Sequence, residues 1–247
     1  MPRAAGPDSE PAAPAAVVGV VGVSGGCGAS TLAAAIAVQA AAAGAMVALV
    51  DGQPGGAGLD VHLAAEHVAG VRWPDLAAVD GAVDGTGLLS RLPVVPVPRA
   101  ERGGAAGGLA VLAHGRDGAP CPGASARRGV VEGLARARGV DLVVVDSGRW
   151  EVAGAEQAWP WEPDLVVLVS GSGLVELAAL AAGAATVGPQ VAETVVVLRG
   201  RRARAVCGDV EEAIGLPVVG LLPDDPGVLR DVEAARLPGR RGVLAEL

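Results

Sequence analysis

Seven short aliphatic runs recur along the chain, each closed by turn residues: VVGVVGV (17–23), AMVALV (45–50), GLAVLA (108–113), DLVVVD (141–146), DLVVLVS (164–170), TVVVLR (194–199) and LPVVGLLP (216–223). Runs of this length without polar alternation mark strands buried on both faces, as in a parallel sheet. Stretches of helical composition lie between them, at residues 30–43, 124–138, 174–187, 209–214 and 227–235. The alternation predicts right-handed crossovers and a doubly wound α/β fold: a mostly parallel sheet of about seven strands with helices on both faces.

The 247 residues suit one domain of this kind. It is expected over residues 17–241, after a disordered Pro/Ala-rich segment (1–16) and before a short tail (242–247). With no Phe or Tyr and only four Trp, the core has to be aliphatic. Trp73, Trp150, Trp159 and Trp161 fall in predicted loops, where an interface and the edge of the core are both open readings. Residues 29–50 are uncharged and long enough to raise a membrane span, but Gly44 and the change from Ala-rich to Val-rich composition favour helix, turn and strand. Residues 52–107 are irregular, and a chain that leaves its sheet for this long usually does so over a binding face.

A formal charge of −8 argues against sequence-independent binding to DNA or anionic lipid. The dense basic run Arg199, Arg201, Arg202 and Arg204 reads either as a partner patch or as a solvated loop. Cys27, Cys121 and Cys207 are far apart, and His62, His67 and His114 have no metal-ligand spacing, which fits a reduced cytosolic setting. The acidic residues in MPRAAGPDSEPAAPAA do not suit a signal peptide, and LPGRRGVLAEL is too short and weakly amphipathic to anchor alone. The expected location is cytoplasmic.

The first run leads into SGGCG and then a helix, so a glycine-rich turn meets a helix N-terminus at the carboxyl end of a strand. That arrangement presents backbone N–H groups to an anion; tight strand–helix packing is the alternative reason for the glycines. Measured against G-x-x-x-x-G-K-[ST], Val23 takes the first place and Gly28, Ala29 and Ser30 the last three. The lysine is missing, and the whole chain contains none.

VSGGCGAST resembles the deviant Walker A loop of the MinD/ParA ATPases, K-G-G-x-G-K-[ST]-[ST], with both family lysines replaced, by Ser24 and Ala29. ALVDGQPGGAGLD is similar to that family's D-x-D-P segment, keeping Asp51 and carrying Gln53 for the second acid. DLVVVDSGRW resembles its Walker B strand, ending at Asp146, and VVVLRG and GLLPDDPGVL its late strands. Gly55–Gly56, Leu59–Asp60, Gly70, Arg72–Trp73 and Asp75–Leu76 resemble a stretch of the CpaE-like or TadZ-like subgroup, which includes septum site-determining proteins. The resemblance spans roughly residues 17–241.

The resemblance implies a nucleotide held by Ser24, Gly25, Gly26, Cys27, Gly28, Ala29, Ser30 and Thr31, with Arg199, Pro223 and Asp224 toward the base. It implies Mg²⁺ on Ser30, Asp51 and Asp146, and Asp51 and Gln53 at the catalytic positions. Against ATP or ADP with Mg²⁺ stand the two lost lysines. One lost charge-assisted hydrogen bond costs about 1.5–3 kcal/mol, roughly 10- to 150-fold in affinity. Gln53 can orient water but cannot take its proton. The implied protein is a degenerate, weakly hydrolysing or silent ATPase, acting as scaffold or nucleotide-responsive switch for a polar pilus or secretion assembly or for cell division. Its expected partners are proteins of that machinery and a second copy of itself, with recruitment to pole or septum through a partner.

The alternative is a weak but genuine Mg-ATPase. Arg149, just after Asp146, is open to either a compensating contact with phosphate or a solvated position. A dinucleotide site would use Gly26, Gly28 and Asp51, but Thr31 occupies the third glycine position. Gly22–Gly26 also fits a G-x-S-x-G nucleophile elbow, which needs a late histidine, and none follows His114.

Overall fold

Each aliphatic run forms a strand, in a computed structural model that describes residues 13–53, 58–99, 107–115, 122–150, 161–234 and 236–239. In chain order the strands are β1 (Ala16–Gly22), β2 (Met46–Asp51), β3 (Val94–Val95), β4 (Gly108–Leu112), β5 (Leu142–Arg149), β6 (Leu165–Gly171), β7 (Thr194–Arg199) and β8 (Val218–Leu222). They make one sheet in the order β3-β4-β2-β5-β1-β6-β7-β8. Every pairing is parallel except that of β3 with β4.

β3 is the one strand beyond the expected seven. It lies between Pro93 and Pro96, and proline, which has no ladder donor, confines such a strand to a short piece at the edge.

The helices are α1 (Ala29–Ala42), α2 (Leu59–His62), α3 (Gly85–Leu89), α4 (Ala124–Ala135), α5 (Leu174–Val187), α6 (Ala203–Ile214) and α7 (Pro226–Glu233). Strand side chains alternate between two layers. Val47, Leu49 and Val144 pack with the alanine-rich α1 on one face, while Ala48, Val50 and Val145 meet α4 and Trp73 on the other. Beyond β1 that second face is covered by α5 and α6, through Leu168, Leu180, Leu198 and Val210. Helices on both faces therefore sandwich the sheet, as the alternating pattern requires.

Residues 52–107 are less irregular than the sequence suggests. They hold α2, a 3-10 turn at Trp73–Leu76, and α3. α3 lies so close to α4 that a Cβ on Gly85 would overlap the Gly133 carbonyl, and one on Gly129 that of Gly81. Trp73 and Trp161 are buried in the core, Trp150 is half-buried, and Trp159 lies outside the described residues. α6 begins at Ala203, not near residue 209, so Arg204 sits in its first turn, with Arg201 and Arg202 exposed just before it. Most of segment 1–16 and all of 242–247 lie outside the described residues. Among the described residues no helix is long and apolar enough to cross a membrane.

Candidate functional site

β1, in the middle of the sheet, ends at Gly22, where a Cβ would meet Cys27 Sγ at 2.6 Å. Glycine there lets the chain fold back at once into the Ser24–Gly28 turn. Gly26 (φ +76°) and Gly28 (φ +99°) adopt left-handed conformations that favour glycine. Gly28 caps α1 without a side-chain hydrogen bond, and the first turn of α1 has no acidic residue. Its backbone donors and the positive end of its dipole have no side-chain counter-charge from within the helix.

A cavity of about 370 Å³ opens over this turn. The turn lines it from below, and Gln53, His62, Arg149 and Arg199 contribute from the sides. Ser24 Oγ is shielded from solvent and has no hydrogen-bond partner among the described residues. The same is true of His62 Nδ1.

Asp51, the last residue of β2, is the direct register partner of Asp146, which lies three residues before the end of β5. Both are buried, at 4% and 3% exposure. Asp51 accepts hydrogen bonds from the backbone N–H groups of Gln53 (3.3 Å) and Leu59 (3.1 Å). Burial first, and the Asp146 charge second, still push its pKa up to about 7. Burial also raises Asp146, opposed by the Ser30 hydroxyl, which donates to its carboxylate, by the Gly148 N–H and by His62. Ser30, Asp51 and Asp146 are thus brought together at one end of the sheet.

Gln53 Oε1 accepts from the backbone N–H of Arg149 at 3.1 Å. Gly148, at φ +64°, leaves the room this amide occupies. The amide oxygen therefore ties the end of β2 to the end of β5.

A second cavity of about 380 Å³ lies on the β7–β8 side. Its floor is apolar, with Cys27, Leu32, Leu222 and Val228, while Pro223 and Asp224 form the opposite wall. Arg199 joins the two cavities: Nε donates to Asp224 (3.1 Å) and Nη1 to the Gly26 carbonyl (3.0 Å). Gly25, Ala29 and Ser30 line the first cavity, and Gly26, Cys27, Gly28 and Thr31 line both. Ser24, Gln53, Pro223 and Asp224 complete the lining of these cavities, while Asp51 and Asp146 lie buried, Asp146 in contact with the Ser30 hydroxyl.

Sequence reasoning missed three members of the neighbourhood. Trp73 donates its indole N–H to the Asp51 carbonyl at 2.6 Å and stacks on His114, with ring centres 6.2 Å apart. His114 Nε2 stands 3.9 Å from Asp51 Oδ1, and burial lowers its pKa. It faces Asp51, on the far side of the sheet end from the nucleophile-elbow serine. His62 reaches the first cavity because α2 folds back over it. A lone histidine in an irregular stretch carries no spacing signal that reveals this.

No family model matches the chain. It is 33% identical over 217 residues to two uncharacterized proteins of Mycobacterium tuberculosis, from strains CDC 1551 and H37Rv, a match covering 86% of this chain. The chain spans 57% of the length of these curated relatives. Its fold is that of the ParA/MinD ATPases. It superposes on a ParA family ATPase from Chlorobium tepidum with TM-score 0.69 and 18% identity, covering 90% of each chain. MinD in the Aquifex aeolicus MinC:MinD complex gives 0.70 and 18%, covering 91% and 88%. The septum site-determining protein MinD of Pyrococcus horikoshii, complexed with Mg-ADP, gives 0.68 and 16%, covering 92% and 88%.

Proposed function

We propose that this chain is a nucleotide-responsive regulatory protein of the MinD/ParA type, akin to the CpaE-like, TadZ-like and septum site-determining proteins. It holds ATP or ADP with Mg²⁺ on a lysine-free loop, turns it over feebly or not at all, and works as a scaffold or switch for a polar pilus or secretion assembly or for cell division. The observation that carries this reading is the pair of joined cavities. One lies over the uncapped start of α1 and is bordered by Ser24, Gln53, His62 and Arg149; the other is apolar and of a size for a base; Arg199 spans both.

The residues present fit the group. Ser24, whose Oγ has no hydrogen-bond partner among the described residues, lines the cavity over the turn, and the first turn of α1 offers N–H groups to phosphate. Ser30 and Asp146 supply hard oxygens, and Mg²⁺ typically needs only one or two protein ligands besides phosphate oxygens and water. Mg²⁺, when bound, neutralises phosphate charge. Leu32, Leu222 and Val228 exclude water from the face of a base. Gln53 spends its amide oxygen on Arg149 N–H, so it is poorly placed to accept a proton or to steer an attacking water. Similarity of fold to MinD complexed with Mg-ADP supports the nucleotide, and similarity to MinD bound to MinC supports a protein partner.

Calorimetric titration with ATP and with ADP, each with Mg²⁺, tests the reading, with single-turnover phosphate release alongside. Micromolar binding with turnover near background is the expected result. Absence of binding contradicts it, and turnover at ordinary ATPase rates makes the protein a genuine enzyme.

A further inference from the structure

Resting on the nucleotide reading above, we propose that His62 takes the place of the absent loop lysine, contacting the terminal phosphate of a nucleoside triphosphate from the side opposite the base. The cavity over the loop is lined by the Ser24–Thr31 turn together with His62, Gln53, Arg149 and Arg199. The base-sized cavity lies by β7 and β8, on one side of β1, whereas α2 follows β2, on the other. A nucleotide laid from the apolar cavity across the turn runs its phosphate chain toward β2, so its last phosphate comes to His62.

His62 is held for such a role. Leu59 and Leu63, on either side of it in sequence, are buried, at 1% and 2% exposure. The Leu59 N–H donates to Asp51 Oδ2. Gly58, at φ +90°, sets the entry to α2, and Asp60 is buried beside Arg72 Nε at 3.5 Å. Arg72 in turn donates to the Ala65 and Val68 carbonyls, closing the segment that follows.

A polar group this shielded and unpaired among the described residues costs free energy unless a partner arrives. Imidazole supplies an N–H donor in either protonation state, so it can contact phosphate oxygen without lysine's fixed charge. It is short and held on a helix, whereas lysine reaches out on a flexible stem. Packing alone would make a hydrocarbon of similar volume an equal choice at residue 62.

The test is calorimetric titration of the full chain, with Mg²⁺, using ADP and the non-hydrolysable imido analogue of ATP. His62→Ala and His62→Gln are compared with the unmutated protein. The proposal expects His62→Ala to weaken the triphosphate analogue about tenfold or more while ADP changes little. His62→Gln, which keeps an N–H donor, should recover part of the loss. An unchanged ratio of the two affinities in both variants overturns the role of His62 and leaves the nucleotide reading standing. Failure of the unmutated protein to bind either nucleotide overturns both.

Discussion

Asp51, at the end of β2, faces Asp146 of β5 as its register partner, two buried carboxyls beside a helix start that carries no lysine. Burial raises both above the ordinary carboxylate range, and the Asp146 charge adds to the rise at Asp51. A carboxyl whose folded-state pKa exceeds its unfolded value takes up a proton on folding, so stability falls as pH rises between the two values. For Asp51 that window runs from about 4 to about 7. The nucleotide-free protein should therefore melt at a lower temperature at pH 8 than at pH 6, Asp51 contributing about 1.4 kcal/mol of the difference. Asp51→Asn should flatten the profile, which thermal unfolding across pH checks. An unaltered slope in the variant would show that Asp51 titrates normally.

Restoring the missing charge is the complementary experiment. Ala29 lines the cavity over the turn, so an Ala29→Lys ammonium has a route into the site. The gain expected from one charge-assisted contact is about 10- to 150-fold in nucleotide affinity, read by titration. A variant that folds but gains nothing would mean that more than the lysine is missing.

Arg199 should matter to binding far more than to stability. Its pair with Asp224 is more than a third exposed on both sides, so breaking it costs about 0–1 kcal/mol. The same side chain holds the Gly26 carbonyl and borders both cavities. Arg199→Ala should weaken ATP and ADP alike, by roughly tenfold, in equilibrium titration. Loss confined to ATP would place the residue at the terminal phosphate instead.

The close contact of α3 with α4 tests the fold itself. Gly85→Ala drives a methyl into the Gly133 carbonyl, so the helices must separate. Overpacking of this kind costs about 1–3 kcal/mol, to be measured by urea unfolding.

The sheet was legible because buried parallel strands leave continuous Val/Leu runs that nothing else in the chain imitates. The glycine-rich turn after β1 was legible because Gly26 and Gly28 sit where φ is positive. β3 was not: two residues between prolines leave no periodic trace. The early start of α6 was masked by its arginines, although Ala203, Val206, Val210 and Ile214 follow helical spacing. Within the site, adjacency across the fold was invisible. Nothing in the sequence ties Trp73 and His114 to Asp51, or His62 to Ser24: His114 meets Asp51 only once β4 pairs with β2, and Trp73 and His62 arrive only when residues 58–76 fold back on the strand ends.

The most direct measurement is a crystal structure of the protein grown with ADP and Mg²⁺. The account predicts the base between Leu222 and Val228, the diphosphate on the Gly25–Ser30 backbone, and Mg²⁺ near Ser30 and Asp146. Nucleotide density elsewhere, or an empty loop at saturating ADP, would contradict it.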